Sequence, residues 1–574
     1  MPPDAVSTTT QQLLSTMRTS SPTSTPSPCY ASSTPSRPHV LIVGGGIGGL
    51  TLAILLERAE IPYTVLERST HIRPLGSAIA LGPGVLPLFE QLGLLDEIEQ
   101  QARPVTRGMV WSEKLVPIMD LDHTTTQKRV IARPKLYQIL LSHVPKRKLR
   151  MGKKVVSFAQ SPPLSPYTQQ DLSKQPPIPV QRQLFRQQPI VLTCEDGTHF
   201  SGDILVGADG AYSVTRHLLY QQIENDYATA KETVLTWQNS EEIPTRFLRF
   251  EPLPDSDKEP LSFTSTCLVG QTEPSLDLKT FKNANGSDCK VGSVIGDNKP
   301  YSWSVFSMPD DSVCWMVTEH LKGTFSSSAT PSISPSTPYP RTAAARSASP
   351  ALFSLSYSLK HDTASESSSE WGPDRVDVMC EQVRDFPVPC GPGLKMNDLI
   401  QQTSRDKISK VMLEEKLFET WFYGRVVLLG DACHKMHPSA GLGAVAAIQD
   451  AAVLSDLLYH LPTDPSLKDI TMAFEAYRQD RYPIAQQSYE TSYQMSHLNE
   501  QSWISNFIRR VMNNLPKWIW YRVLDRMYEY RPQVSFLPRV GDRGEVPPMP
   551  PSYNAGLNKL GINLYPSIDM DIDP

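Results

Sequence analysis

The hydrophobic pattern changes period several times along the first third of the chain. Val40-Leu41-Ile42-Val43 is an unbroken apolar run, as expected of a strand buried on both faces, and it stops at Gly44-Gly45-Gly46. From Ile47 the chain continues as Leu50-Thr51-Leu52-Ala53-Ile54-Leu55-Leu56, rich in good helix formers, which predicts a helix. Tyr63-Thr64-Val65-Leu66 predicts a second strand that ends on Glu67, and Leu86 to Leu92 predicts a further helix. Asp203-Ile204-Leu205-Val206 runs as a strand into Gly207-Ala208-Asp209-Gly210, and Val426-Val427-Leu428-Leu429 does the same into Gly430-Asp431. A helix is predicted from Leu442 to Leu454. Strand, turn and helix recurring in this order predict an α/β, doubly wound architecture.

Glycine spacing adds chemistry to the first turn. Gly44 permits a tight turn, Gly46 leaves no side chain between backbone and a phosphate, and Gly49 lets the following helix lie close on its strand. A pyrophosphate is then held at a helix N-terminus. Glu67 follows about 20 residues past the turn, where a carboxylate accepts the hydroxyls of an adenosine ribose. The same charge repels a 2′-phosphate, which leaves FAD or NAD at this site.

The later motifs choose between them. The segment Gly207-Ala208-Asp209-Gly210-Ala211-Tyr212-Ser213, then Gly430-Asp431, then Pro438-Ser439-Ala440-Gly441-Leu442-Gly443-Ala444 follow the first turn in order. Together they resemble the single-component FAD-dependent aromatic hydroxylases, the para-hydroxybenzoate hydroxylase-like monooxygenases, across most of residues 38–460. The resemblance implies that Glu67 holds the adenosine ribose and that the loop Gly76 to Gly84, including Ala80, lies beside the flavin. It implies that Arg133 reaches the ribityl and phosphate region. Asp209 with Gly210 would serve FAD and the reduced nicotinamide, and Gly430 with Asp431 would meet a ribityl hydroxyl. Gly441, Gly443 and Ala444 would begin a helix whose unpaired N–H groups and positive dipole end face the anionic reduced flavin. Leu442 and Val445 stand where many members carry polar residues, which points to an apolar substrate pocket.

The implied activity is insertion of one oxygen atom from O2 into a small organic, aromatic or polycyclic apolar substrate, with NADPH or NADH as reductant and a flavin C4a-hydroperoxide as oxygen donor. A flavin oxidase, dehydrogenase or halogenase on the same scaffold, or a non-catalytic FAD-binding protein, is the alternative; the halogenase Trp-x-Trp-x-Ile-Pro signature is not matched by Tyr301-Ser302-Trp303-Ser304-Val305-Phe306. The chemistry belongs to the cofactor, so no catalytic side chain is nominated. Cys433, His434 and His437 lack a full set of ligands at metal-binding spacing, and no metal site is expected.

The remaining sequence sets the boundaries. The expected plan is a Ser/Thr/Pro-rich disordered N-terminus (1–37) and a discontinuous FAD-binding domain (38–225 and 401–470). A β-rich substrate domain (226–400) is inserted into it, and a helical C-terminal extension (471–574) follows. A Pro/Gln-rich insertion (about 160–188) is placed at a hairpin tip and a Ser-rich one (about 326–370) after the strand Val313 to Val317. Alternation in Arg246 to Phe250, Thr264 to Val269 and Tyr301 to Phe306 predicts a sheet with one covered face, in which Trp303, Phe306 and Trp315 are more often core than substrate contacts. A net charge of −5 gives no reason to expect nucleic acid, and eight scattered cysteines suit a reducing, cytoplasmic compartment. Between about 503 and 521 an apolar helical face with Arg509, Arg510 and Lys517 beside it suits a membrane surface, although packing back on the enzyme is the plainer reading.

Overall fold

Three adjacent parallel strands carry the glycine turns at their C-terminal ends, a fourth beside them ends on Glu67, and the rest of the fold is arranged around that edge. The structure, a computed structural model, describes residues 37–71, 78–122, 127–160, 190–236, 251–274, 291–297, 299–326, 376–389, 393–498, 527–543 and 547–549. The N-terminal segment, Gly76 and Ser77, the bodies of both insertions, Arg246 to Phe250 and the 503–521 stretch lie outside the described residues.

The central sheet runs β18-β19-β12-β1-β2-β8, from Phe422–Tyr423 (β18), Val426–Leu428 (β19), Ile204–Gly207 (β12), Val40–Val43 (β1), Tyr63–Glu67 (β2) and Leu149–Met151 (β8). All pairings are parallel except β18 with β19. β1, β12 and β19 are buried along their whole length, which explains why each is apolar without alternation. Helix α1 (Ile47–Arg58) packs on the sheet together with a helix from the far end of the sequence, Gly443–Tyr459. Gly48 sets their approach: a Cβ there would stand 2.6 Å from Leu429 and 3.2 Å from the Ala447 Cβ.

Smaller units flank this sheet. Ala78–Leu81 (β3), Arg129–Ala132 (β7) and Ala102–Pro104 (β4) form an antiparallel sheet, with Leu86–Gln91 (α2), Leu95–Gln101 (α3) and Arg133–Ser142 (α4) around it. Val155–Ala159 (β9), Ile190–Cys194 (β10) and His199–Gly202 (β11) make an antiparallel trio, so the Pro/Gln-rich insertion does join two strands of a hairpin. α5 (Val214–Thr236) follows the Asp209-Gly210 turn.

The second large sheet has eight strands in the order β20-β17-β13-β16-β15-β14-β5-β6. These are His434–Lys435 (β20), Ser409–Leu417 (β17), Ser262–Gln271 (β13), Val313–Ser326 (β16), Tyr301–Ser307 (β15), Val291–Ile295 (β14), Arg107–Ser112 (β5) and Pro117–Asp122 (β6). Both of its faces are covered, rather than one. α6 (Val376–Val383) and α7 (Met396–Gln401), short helices beyond the Ser-rich insertion, pack on the face that carries Leu268, Trp303, Val305, Trp315 and Val317. On that face the Trp303 indole donates to the Pro387 carbonyl at 2.8 Å and the Trp315 indole to Thr403 Oγ1 at 3.0 Å. Both tryptophans are core. Phe306 lies on the other face, against Ala78, Ala80, Val130 and Ala132 of the small β3-β7-β4 sheet.

The helical C-terminal region is α8 (Gly443–Tyr459) and the long α9 (Leu467–Leu498), which contains Pro483. Residues 527–543 are not helical but form a strap over the back of α8 and α2. Gln449 donates to the carbonyls of Gly84 (3.3 Å) and Tyr530 (3.0 Å), Arg543 pairs with Glu90, and the Tyr530 hydroxyl donates to Asp480. Asp456 of α8 is buried and accepts from both Ser535 N and Ser535 Oγ at 2.7 Å. Removing its buried carboxylate takes the acceptor from the half-buried Ser535 amide, so Asp456→Ala is expected to lower stability by about 1–2 kcal/mol in a urea titration.

Candidate active site

Gly44 closes the first turn at φ +107°, and a Cβ there would lie 2.3 Å from the Ala208 carbonyl oxygen. A Cβ on Gly49 would lie 2.0 Å from the Gly44 carbonyl oxygen, whereas one on Gly46 would meet nothing within 4 Å. The three glycines therefore do three different things: a backbone conformation other residues avoid, open space, and close packing. Gly46 is the N-cap of α1, with no side-chain cap and no acidic residue in the first turn. The first intrahelical bond there is Leu50 N to Gly46 O, so the amides before Leu50 point out of the helix end unpaired within it. At the end of β2 the Glu67 carboxylate takes the Gly45 amide on Oε2 and the Ser69 amide on Oε1, both at 2.8 Å, which fixes the acid beside the glycine turn.

The other two turns end the neighbouring strands. Ala208 N donates to Val43 O at 2.8 Å and Leu429 N to Gly207 O at 2.9 Å, so Asp209-Gly210 and Gly430-Asp431 stand beside Gly44 along one edge. Gly210 (φ +84°) and Gly430 (φ +63°) are both left-handed. Asp209 accepts from Ser213 Oγ (2.5 Å), Thr215 N (3.0 Å) and Thr215 Oγ1 (3.1 Å), and thereby holds the start of α5. Asp431 is half-buried and pairs with Lys435 at 2.8 Å. Arg216, buried, ties the two turns: it donates to the Ala432 carbonyl at 2.9 Å and the Ala211 carbonyl at 2.8 Å, with its guanidinium over the Phe418 ring.

Beyond the edge, Gly441 (φ +67°) leads into α8. Leu442 is the N-cap, again with no side-chain cap and no acidic residue in the first turn, and Gly443 and Ala444 are half-buried. A Cβ on Gly441 would stand 3.6 Å from the Ala80 Cβ, which brings β3 next to this helix start. Leu442 and Val445 are buried, as their apolar character predicts. Arg133 opens α4 and is exposed, but its charge acts on both Tyr137, near Glu67, and Lys435, near Asp431, so it lies between the two ends of the site.

Below the Gly430 turn sits a group of charges with no solvent contact. Asp450 accepts from Gly430 N (2.9 Å) and His434 Nε2 (2.6 Å) on one oxygen, and from Arg481 Nε (2.8 Å) on the other. Burial alone would push the Asp450 carboxyl up; the fields of His434 and Arg481 and their hydrogen bonds overcome it and hold it at about 2. Cys433, His434 and Asp450 bring three ligand-type atoms within 4.8 Å of one another. The cation beside them is already the Arg481 guanidinium, and burial pushes the Cys433 thiol well up, so the group is a charge network that supports the Gly430-Asp431 turn.

The sequence drew attention to His434 only as one of three residues short of a metal-ligand set, and not to Asp450, Arg481, Arg216, Tyr137 or Lys435. Asp450 and Arg481 are on different helices, and no local spacing relates them. Arg216 lies just beyond the Asp209-Gly210 motif, at the polar start of the helix that follows, and nothing local marks it.

This donor set fits FAD. Two helix ends without caps, four glycines at positive φ, an open Gly46 and an acid at the end of β2 supply amide donors for phosphates and an acceptor for a ribose. The family described as "FAD binding domain" matches residues 37–163 and 395–492. The FAD-dependent monooxygenase ptmM of Penicillium ochrochloron is 27% identical over 481 residues, covering 79% of this chain and 87% of that protein. The FAD-dependent monooxygenase ausM of Emericella nidulans is 27% identical over 537 residues, covering 88% and 89%. Among solved structures, a Klebsiella pneumoniae HpxO variant complexed with FAD shares the fold at TM-score 0.56 and 15% identity, over 86% of this chain and 98% of that one. A salicylate hydroxylase substrate complex shares it at TM-score 0.52 and 16% identity, over 85% and 96%. The chain thus carries an FAD binding domain, resembles the FAD-dependent aromatic hydroxylases in fold, and is an FAD-dependent monooxygenase.

Proposed function

We propose that the chain uses NADPH or NADH and O2 to insert one oxygen atom into a small, largely apolar organic substrate. The observation that carries this reading is the line of turns at the ends of β19, β12, β1 and β2, facing the uncapped start of α8. Gly44, Gly46 and Gly49 with the α1 amides would hold the pyrophosphate, and Glu67 the adenosine ribose. Arg133, Asp209 with Gly210, and Gly430 with Asp431 would line the ribityl and phosphate path. Gly441, Gly443 and Ala444, with Ala80 opposite, would flank the flavin ring, where the helix end stabilises negative charge. When bound, FAD would supply the redox chemistry that couples a reduced nicotinamide and O2 to oxygen insertion. In this reading residues 38–225 and 401–470 bind the cofactor, and 226–400 roof the substrate.

The protein's own part is to orient the cofactor and keep water from it. Leu442 and Val445, buried at the start of α8, make that surroundings apolar. Incubation of the FAD-loaded protein with NADPH under isotopically labelled O2 is the test. A product carrying one labelled oxygen supports the reading; stoichiometric peroxide with no labelled product from any substrate class overturns it in favour of an oxidase. Glu67→Ala is expected to weaken FAD about 10- to 100-fold, the loss of one to two hydrogen bonds to a charged acceptor, as read by flavin fluorescence titration.

A further inference from the structure

Four buried polar atoms on the cofactor side of the eight-stranded sheet have no hydrogen-bond partner: His320 Nδ1, Glu415 Oε1, His437 Nε2 and Ser492 Oγ. They come from β16, β17, the loop after β20, and α9. His437 is 2% exposed, Ser492 0% and Glu415 9%, so solvent does not pair them. Native interiors leave few such atoms, and four on adjoining elements require an explanation.

These groups share one region. Glu415 lies on the same face of β17 as Leu413, which packs with Cys267, Val269 and Met316 on the face opposite to Trp303 and Trp315. His320 reaches back to Ser302 at 3.0 Å through Nε2, which leaves Nδ1 free. The charge of His497 acts on both Glu415 and His320, and those of His320 and His497 act on His437. On α9, Ala485, Tyr489, Ser492 and Ser496 follow a helical face; Tyr489 feels the charge of Glu415 and packs with Met436 and Leu442.

Protonation states follow from the contacts. His437 Nδ1 accepts from the Ser439 amide at 3.2 Å, so the ring proton sits on Nε2, and the unpartnered atom is a donor. Burial, with the charges of His320, His497 and Lys435, holds that ring down at about 3, and it stays neutral. Burial pushes the Glu415 carboxyl up to about 7. One small group that both donates and accepts satisfies a free carboxyl oxygen and a free N–H at once, and a hydroxyl is that group.

We propose that Glu415 and His437, with Ser492 and His320 beside them, anchor a hydroxyl of the substrate, a phenol or alcohol on an apolar polycyclic body that lies along Leu413, Met436 and Leu442. The inference rests on the oxygen-transfer reading of this site. It adds the group that orients the substrate.

The test is equilibrium binding to the oxidised, FAD-loaded protein, which needs no turnover and so separates this inference from the activity itself. Phenanthrol and phenanthrene are compared by the perturbation of the flavin absorbance band. The wild type is expected to bind phenanthrol at least about tenfold more tightly, the worth of one or two buried hydrogen bonds. Glu415→Leu should abolish the preference, and Glu415→Gln should retain part of it. Ser492→Ala, a small change on a helix, tests the same anchor should the Glu415 variants fail to fold. Equal affinity for the two probes, binding of neither, or an unchanged preference in the folded variants overturns the proposal. Absence of NADPH oxidation with the binding preference intact would instead count against the oxygen-transfer reading.

Discussion

Replacing Asp450 with alanine is expected to cost about 3–5 kcal/mol of stability, the range for breaking a buried ion pair from one side. The substitution strands the Arg481 guanidinium with no solvent contact and takes away the acceptor of both His434 and the Gly430 amide. Because that amide belongs to the Gly430-Asp431 turn, FAD affinity should fall with stability. The measurement is a urea titration of apoprotein and holoprotein, with a flavin titration alongside. A double replacement, Asp450→Leu with Arg481→Met, should recover part of the apoprotein stability, since an apolar pair of similar volume avoids the uncompensated charge. It should not recover FAD, because the Gly430 amide stays unpaired. A loss below about 1 kcal/mol for Asp450→Ala would mean that the network is not the support of the turn. The pH dependence has a definite sign. With the folded Asp450 carboxyl held at about 2, below its ordinary range, its stabilisation is complete above about pH 4 and fades as pH falls through 2.

The glycine turn gives the second large effect, and its two positions should fail differently. Gly44→Ala places a Cβ 2.3 Å from the Ala208 carbonyl oxygen in a backbone conformation with φ +107°. The turn must move, at a cost of about 1–3 kcal/mol from the dihedral alone, and the protein should lose thermal stability and purify without flavin. Gly46→Ala meets nothing within 4 Å, so its apoprotein should melt with the wild type. Its new methyl nevertheless stands in the space through which a pyrophosphate would approach α1, and FAD should bind about 100-fold more weakly. Thermal melts of the two apoproteins, followed by flavin titration, separate strain from exclusion. If Gly46→Ala binds FAD like the wild type, the phosphate does not lie against that turn.

The parts of this fold that were legible in sequence are those whose signal is local. β1, β2, β12 and β19 are short apolar runs ending on glycine or acid, and each is where the run predicts. The start of α8 was legible within a residue because Gly441 and Gly443 precede a run of alanines. What was not legible depends on distant partners. The cover on the far face of the eight-stranded sheet comes from two short helices beyond an insertion, and nothing in Tyr301 to Phe306 announces it. Asp450 stands in an alanine-rich helix with no neighbour in sequence to mark it, and only the packing of α9 reveals it as the centre of a buried charge group. In Met412-Leu413-Glu414-Glu415 two adjacent acids look alike in sequence and both are buried, yet Glu414 receives the Tyr212 hydroxyl while Glu415 keeps one oxygen unpaired. The difference between the two is one position of strand register.

The strap over α8 has a bearing on how the protein comes to exist in the cell. A nascent chain that has emerged as far as α9 already contains every turn that faces the cofactor, but Gln449 still lacks the Tyr530 carbonyl, Asp456 the Ser535 amide and Asp480 the Tyr530 hydroxyl. The back of α8, whose start lies beside the glycine turns, is thus finished only by residues translated well after the helix itself. Premature termination between Leu498 and Tyr530 would release a chain with its motifs complete and its central helix unsupported, a substrate for quality control rather than a smaller enzyme.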